Sequence, residues 1–222
     1  YGAIKKNPKV FMGFSDITVL LNAIYKKTGL ITFHGPNIEH IFSKGFSGKN
    51  RYTWEYFFKA VMRNQPVGRI KPWRSLEVLK EGRASGGLVG GNLITLMTLM
   101  GTEYEPDWRN KILFWEETYE TIQEIDFHLT HLRSAGVFGK ISGMIIGKLM
   151  RCNILRGDDD WKKAEVFSIN KIILEICHDY KFPIMKGVAF GHYSPQIVLP
   201  IGVKATIDTS KKLFSIDEAG VK

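Results

Sequence analysis

One serine in this chain stands where a serine can do chemistry. Ser15 follows the apolar run KVFMGF and precedes DITVLLNAIYKKTG, a stretch with helical apolar spacing. On a sharp strand-to-helix turn a serine hydroxyl is lifted above the sheet edge, and the N–H of the next residue, here Asp16, points where an oxyanion would form. The stretch departs from the G-x-S-x-G form of such an elbow, with Ile17 in place of the second glycine. Serine before aspartate at a helix start is also good capping chemistry, so from this stretch alone the hydroxyl is either a cap or a nucleophile.

A serine nucleophile needs a base and a group that orients the base. Of the six histidines, His192 in AFGHYSP follows a buried-strand pattern and a glycine, so it can project from a strand end into a cleft. His34, in TFHGP, ends another strand and could line a site, although a structural role fits it as well. His128 and His131 sit three apart on an amphipathic stretch with no third ligand at metal-site spacing, and His40 and His178 lie in helix-like segments without special neighbours. Glu116 and Glu117 close the apolar strand ILFWEE; alternation lets at most one of them face a given site, and the plain reading of the pair is a solvated strand end. The order Ser15, Glu116, His192 is the one that α/β-hydrolases use. The run SGGLVGGNL lacks both dinucleotide and P-loop spacing, which leaves close backbone packing as its reading.

The elements that must position these groups follow from periodicity. KVFMGF, the helical stretch closed by Gly29, and LITFHGP form a strand–helix–strand unit of a parallel sheet. Residues 46–85 mix aromatics, bases, glycine and proline around one amphipathic helix near Thr53–Met62, and read as a connector or lid. A glycine-rich lead into a helix at Asn92–Met100 follows, then the strand KILFWEE, a helix ending at Gly136, the buried strand KISGMIIGKL, the helix FSINKIILEICHDY and a strand-rich close.

Composition bounds the rest. A chain of 222 residues with 44% apolar and 24% charged residues is an ordinary globular protein, and no stretch has the roughly 20 apolar residues of a membrane span. Cys152 and Cys177 suit neither a disulfide framework nor a metal knuckle and read as reduced core thiols in a cytoplasmic setting. The net charge of +9 lies wholly in residues 1–83, which hold 15 Lys+Arg against 5 Asp+Glu. These bases are scattered and no nucleic-acid motif accompanies them; a site for anionic small substrates explains the charge as well, and so does an acidic segment upstream of the chain.

Together, NPKVFMGFSDITVLL, TGLITFHGP, GGNL, ILFWEE, FHLTHLRSAGVFGKISGMIIGKL and FGHYSPQIVLPIG resemble the L,D-carboxypeptidase family of serine peptidases, which includes the microcin C immunity peptidases. The resemblance implies Ser15 as nucleophile, Glu116 as the acid that orients the base, His192 as the base and the Asp16 N–H at the oxyanion. It implies an α/β protein in which a Rossmann-like N-terminal domain carries the serine, a mixed α/β C-terminal domain carries the acid and histidine, and the active site lies between them. Residues 1–45 are then the remainder of the first domain, 46–85 a connector or lid and 86–222 the second domain. Family members have a longer front, with a glycine-rich stretch that helps form the oxyanion hole. A missing N-terminal segment is therefore an expected partner, and the chain alone is expected to be nearly inactive. The expected reaction is hydrolysis of an amide bond next to a free carboxylate, the L,D bond of a murein tetrapeptide. The alternatives are a peptidyl- or aminoacyl-nucleotide of the microcin C type, and a binding module without chemistry. Trp73, Arg74 and Asn92 are expected substrate contacts. A homodimer is expected, with no cofactor, metal, nucleic acid or membrane.

Overall fold

A computed structural model describes residues 1–39, 48–152 and 161–222, without the side chains of 161–168; His40 lies outside the described residues. The chain opens with a short helix α1 (Gly2–Lys6), then β1 (Met12–Gly13), α2 (Ile17–Thr28) and β2 (Phe33–His34). The expected strand–helix–strand unit is present, with β1 parallel to β2 and Gly13 in register with His34. Helix α2 buries Leu21, Ala23 and Ile24, and stops at Gly29, whose φ of 73° is the left-handed turn that a residue without Cβ makes at low cost. The third strand of this sheet, β9 (Leu199–Pro200), comes from the far end of the chain and pairs antiparallel with β2.

The second sheet has eight strands in the order β3-β11-β10-β5-β6-β7-β8-β4. Its parallel centre is β5 (Arg83–Asn92), β6 (Lys111–Thr118), β7 (Gly143–Met150) and β8 (Ile184–Lys186). Antiparallel strands flank it: β10 (Lys204–Asp208) and β11 (Leu213–Ile216) with β3 (Gly68–Arg69) on one side, and β4 (Glu77–Lys80) on the other. The helices are α3 (Gly48–Val61), α4 (Leu93–Met97), α5 (Ile122–Ser134, opened by a Thr121–Glu124 capping box) and α6 (Trp161–Ile176).

Two sequence expectations change here. The glycine run leads into a helix as expected, but it is itself the central strand β5, because its glycines let neighbouring backbone come closer than a side chain would permit. A Cβ on Gly90 would fall 1.7 Å from the Phe114 carbonyl oxygen, and one on Gly91 would fall 2.4 Å from Thr18. The close packing expected of the run is thus correct, and the helix after it shrinks to α4, with Asn92 as its cap. The segment 46–85 is more than a connector, since its described part supplies α3 and both outer strands of the large sheet.

Alternation along β6 divides the interior. Ile112 and Phe114 belong to a core that also holds Leu21, Phe33, Phe190 and Val198. Leu113 and Trp115 belong to a second core with Leu129, Leu132 and Ile173, under α5 and α6. Each core removes apolar area from water at about 25 cal/mol per Å², and between them they leave the end of β6 rigid.

Candidate active site

At the end of β1 the backbone turns sharply into α2. Ser15 has φ of 59°, a region that side chains other than glycine seldom adopt and that clusters at functional sites. Gly13 has no alternative residue, because a Cβ there would sit 2.6 Å from Ile17 Cγ2. The N-cap of α2 is Asp16, which makes no side-chain cap bond; Ser15 contributes its carbonyl, accepting from the Thr18 N–H at 2.9 Å. The first N–H groups of the turn, from Ile17, Thr18 and Val19, are thereby paired with Phe14, Ser15 and Asp16 oxygens. The Asp16 N–H takes no part in these bonds.

Glu116, near the end of β6, meets His192 from the loop after β8. Glu116 is fully buried, and its Oε2 accepts from the His192 backbone N–H at 3.2 Å and faces His192 Nδ1 at 2.8 Å. A carboxylate only accepts, so the ring proton sits on Nδ1 and the lone pair on Nε2 is presented on the opposite side of the ring. Burial pulls the His192 pKa down, while the Glu116 bond and the charges of Glu116, Glu117 and Asp16 push it up, and the net direction is upward. Gly191 permits the contact: with φ of 96° it brings its backbone so near that a Cβ would lie 2.4 Å from Glu116 Cγ. The Phe14 ring packs edge-on against the imidazole at 4.9 Å between centroids, which brings the Ser15 turn beside His192.

The neighbouring acid corrects the solvated-end reading. Glu117 is buried on the other face of β6 and accepts from Asn92 Nδ2 at 2.7 Å, the Ile94 N–H at 2.9 Å and the Thr118 N–H at 2.9 Å. Burial raises its pKa, against the pull of those three bonds. It anchors the start of α4. Asn92 is engaged in the same network, capping α4 through Thr95 and donating its own N–H to Thr18 Oγ1 at 3.0 Å. Its register partner on β6 is Glu116.

Trp73 and Arg74 line a cavity of ≈ 890 Å³ together with Lys148, Arg151, Tyr193 and Lys212. Tyr193 follows the histidine, and Gly147, on the same wall, would touch Glu116 Cβ at 3.0 Å if it carried a Cβ. The Lys148 ammonium lies over the Tyr193 ring at 5.9 Å. Cys152 and Cys177 are both buried. Among the described residues no three His, Cys, Asp or Glu gather as a metal site, and no helix is long and apolar enough to cross a membrane.

Sequence reasoning passed over Phe14, Thr18, Asn22 and Gly191. Asn22 donates to the Gly90 carbonyl at 2.9 Å, and with Thr18 it ties α2 to β5. The available signal was two polar residues on the otherwise apolar face of α2.

Comparison with known proteins matches the chain to one family. The LD-carboxypeptidase C-terminal domain model covers residues 85–207, and the N-terminal domain model covers residues 1–35. The chain belongs to the LD-carboxypeptidase family. A probable murein peptide carboxypeptidase of Bacillus subtilis is 34% identical over the whole chain, which spans 66% of that protein's length. The microcin C7 self-immunity protein MccF of Escherichia coli is 31% identical over 98% of the chain and 68% of its own length. Among solved structures, MccF in complex with glutamyl sulfamoyl guanosine superposes with a TM-score of 0.83 at 30% identity, covering 100% of this chain and 71% of that one. The muramoyltetrapeptide carboxypeptidase of Oxalobacter formigenes gives 0.78 at 26%, covering 98% and 71%.

Proposed function

We propose that this chain carries the Ser15–Glu116–His192 triad of a serine carboxypeptidase that cleaves an amide bond beside a free carboxylate. The observation that carries the reading is the 2.8 Å Glu116–His192 contact next to a serine held at positive φ. His192 Nε2 takes the proton of Ser15 as Oγ bonds to the carbonyl carbon, and Glu116 offsets the charge on the imidazolium. The Asp16 N–H donates to the oxyanion at the N-terminal end of α2. The C–N bond then breaks as His192 returns its proton to the leaving amine. Water, deprotonated by the same histidine, attacks the acyl-enzyme and frees Ser15.

A murein tetrapeptide losing its terminal residue is the favoured substrate. The cavity lined by Tyr193, the residue after the histidine, also carries Arg74, Lys148, Arg151 and Lys212, cations suited to a substrate rich in carboxylates. An aminoacyl-nucleotide is the second reading: MccF binds glutamyl sulfamoyl guanosine, and Trp73 presents a partly exposed ring at the same cavity. The test is turnover of a muropeptide and of an aminoacyl-sulfamoyl adenosine, by the chain alone and with the expected N-terminal segment supplied. Ser15→Ala should lower kcat by at least about 1000-fold with little change in substrate binding. Retention of a tenth of wild-type kcat would remove Ser15 from the mechanism.

A further inference from the structure

Beside the acid–histidine pair lies an ionisable side chain that the mechanism leaves without a task. His34 ends β2 and is fully buried, and neither of its ring nitrogens has a hydrogen-bond partner. Its ring meets Phe114 edge-on at 5.4 Å and Phe190 at 5.9 Å between centroids. Phe114 precedes Glu116 by two residues on β6, so both side chains leave the same face of the sheet. A Cβ built on Gly147 would touch the Phe190 ring at 2.9 Å and Glu116 Cβ at 3.0 Å, which places that ring and the acid side by side. His34 is also in register with Gly13, two residues before Ser15.

The second oxygen of the acid completes the pattern. While Oε2 takes both bonds from His192, Glu116 Oε1 is buried and has no partner. One small region, closed to bulk solvent, therefore holds a ring N–H without an acceptor and a carboxylate oxygen without a donor. Native interiors pair such groups, directly or across a bound water, because an unsatisfied one is costly.

We propose that His34 is a positioning residue for the catalytic pair: it donates its ring N–H to Glu116 Oε1, by a small ring rotation or across one bound water, and fixes the carboxylate so that Oε2 stays aimed at His192. The proposal rests on Glu116 and His192 acting as orienting acid and base. Electrostatics is consistent with it. Burial, opposed by Glu116 and assisted by His192, lowers the His34 pKa to about 4, so at neutral pH the ring is an uncharged donor that does not compete with the His192 imidazolium for Glu116.

The competing reading is a histidine that merely fills an aromatic core, and the two readings rank substitutions in opposite order. Packing against Phe114 and Phe190 favours His34→Phe over His34→Gln, whereas a donor role favours His34→Gln. In the muropeptide assay His34→Gln should stay within about fivefold of wild-type kcat, and His34→Phe should lose about 30-fold or more with KM little changed. The acid limb of kcat/KM should also move to higher pH in His34→Phe alone. Losing the positive end of the N–H dipole lets His192 hold its proton longer, while Glu117 and Asp16, the other charges acting on it, are untouched. A second measurement needs no turnover: an NMR titration of the His192 imidazole in the 222-residue chain should shift upward in His34→Phe and stay in place in His34→Gln. Phenylalanine equal to or better than glutamine in the assay, or an unmoved His192 titration in His34→Phe, would overturn the proposal. Turnover surviving Ser15→Ala would instead count against the underlying triad, and the NMR titration would still judge His34.

Discussion

The two sides of the candidate site are held by very different amounts of structure. Glu116 sits near the end of an eight-residue strand in the middle of an eight-stranded sheet, with a buried core on each face. Ser15 depends on β1 and β2, strands of two residues each, with β1 at the edge of a three-stranded sheet. Within this chain Glu116 is therefore held by packing on both faces, while the described residues tie the Ser15 turn through a few specific contacts. Those contacts are the Phe14 ring on His192, Asn22 on Gly90, and Thr18 on Asn92. Pre-organised polar groups cost no reorganisation during reaction, so under the proposed mechanism the large sheet would contribute most where charge develops on the imidazole.

The sharpest way to break this comparison uses the two adjacent acids. Glu116→Gln should lower kcat by about 1000-fold or more, since an amide cannot offset the imidazolium and can present the wrong group to Nδ1. Glu117→Gln should instead act on stability, by about 1–2 kcal/mol in urea unfolding, with kcat nearly retained, because its bonds hold α4 and not His192. The reverse pattern would exchange the roles of the two faces of β6.

An intermediate effect should appear in the pH dependence of stability. His34 has its pKa lowered to about 4 in the folded chain, so between the ordinary histidine value and about 4 the unfolded chain binds the extra proton. Stability should then fall as pH drops through that window, by up to about 3 kcal/mol from this one group. His34→Phe should flatten the urea midpoint across the same window. An unchanged slope in that variant would show that His34 is not the buried neutral group described.

The smallest expected effect probes the serine side alone. Thr18→Val keeps the shape of the side chain and deletes the acceptor for the buried Asn92 N–H, at a cost of about 1–3 kcal/mol. Activity per folded molecule should drop about tenfold, through misplacement of the Ser15 turn rather than of His192. An unshifted His192 titration in this variant would sharpen the division between the two sides, and a shifted one would erase it.

Much of the frame was legible because it is local. Apolar periodicity and Gly29 specify the strand–helix–strand unit, and Gly13-Phe14-Ser15 specifies a strained turn at its centre. The run ILFWEE specifies a buried strand, and alternation alone requires its two acids to part. Chain order and motif resemblance point to Ser15, Glu116 and His192 as the proposed triad, and the geometry brings the last two into contact. Other features depend on partners distant in sequence. Nothing within SGGLVGGNL says that Phe114 and Thr18 will press on it and make it a central strand. Nothing near Glu117 says that Asn92 and Ile94 will donate to it and keep it out of water. His34 reads as an ordinary strand-end histidine until Phe114 and Phe190 pack against its ring and bury it. Local sequence sets backbone preference and which face a side chain leaves; the desolvation and pairing of that side chain are set by whichever distant elements pack against the face, and only the assembled chain supplies them.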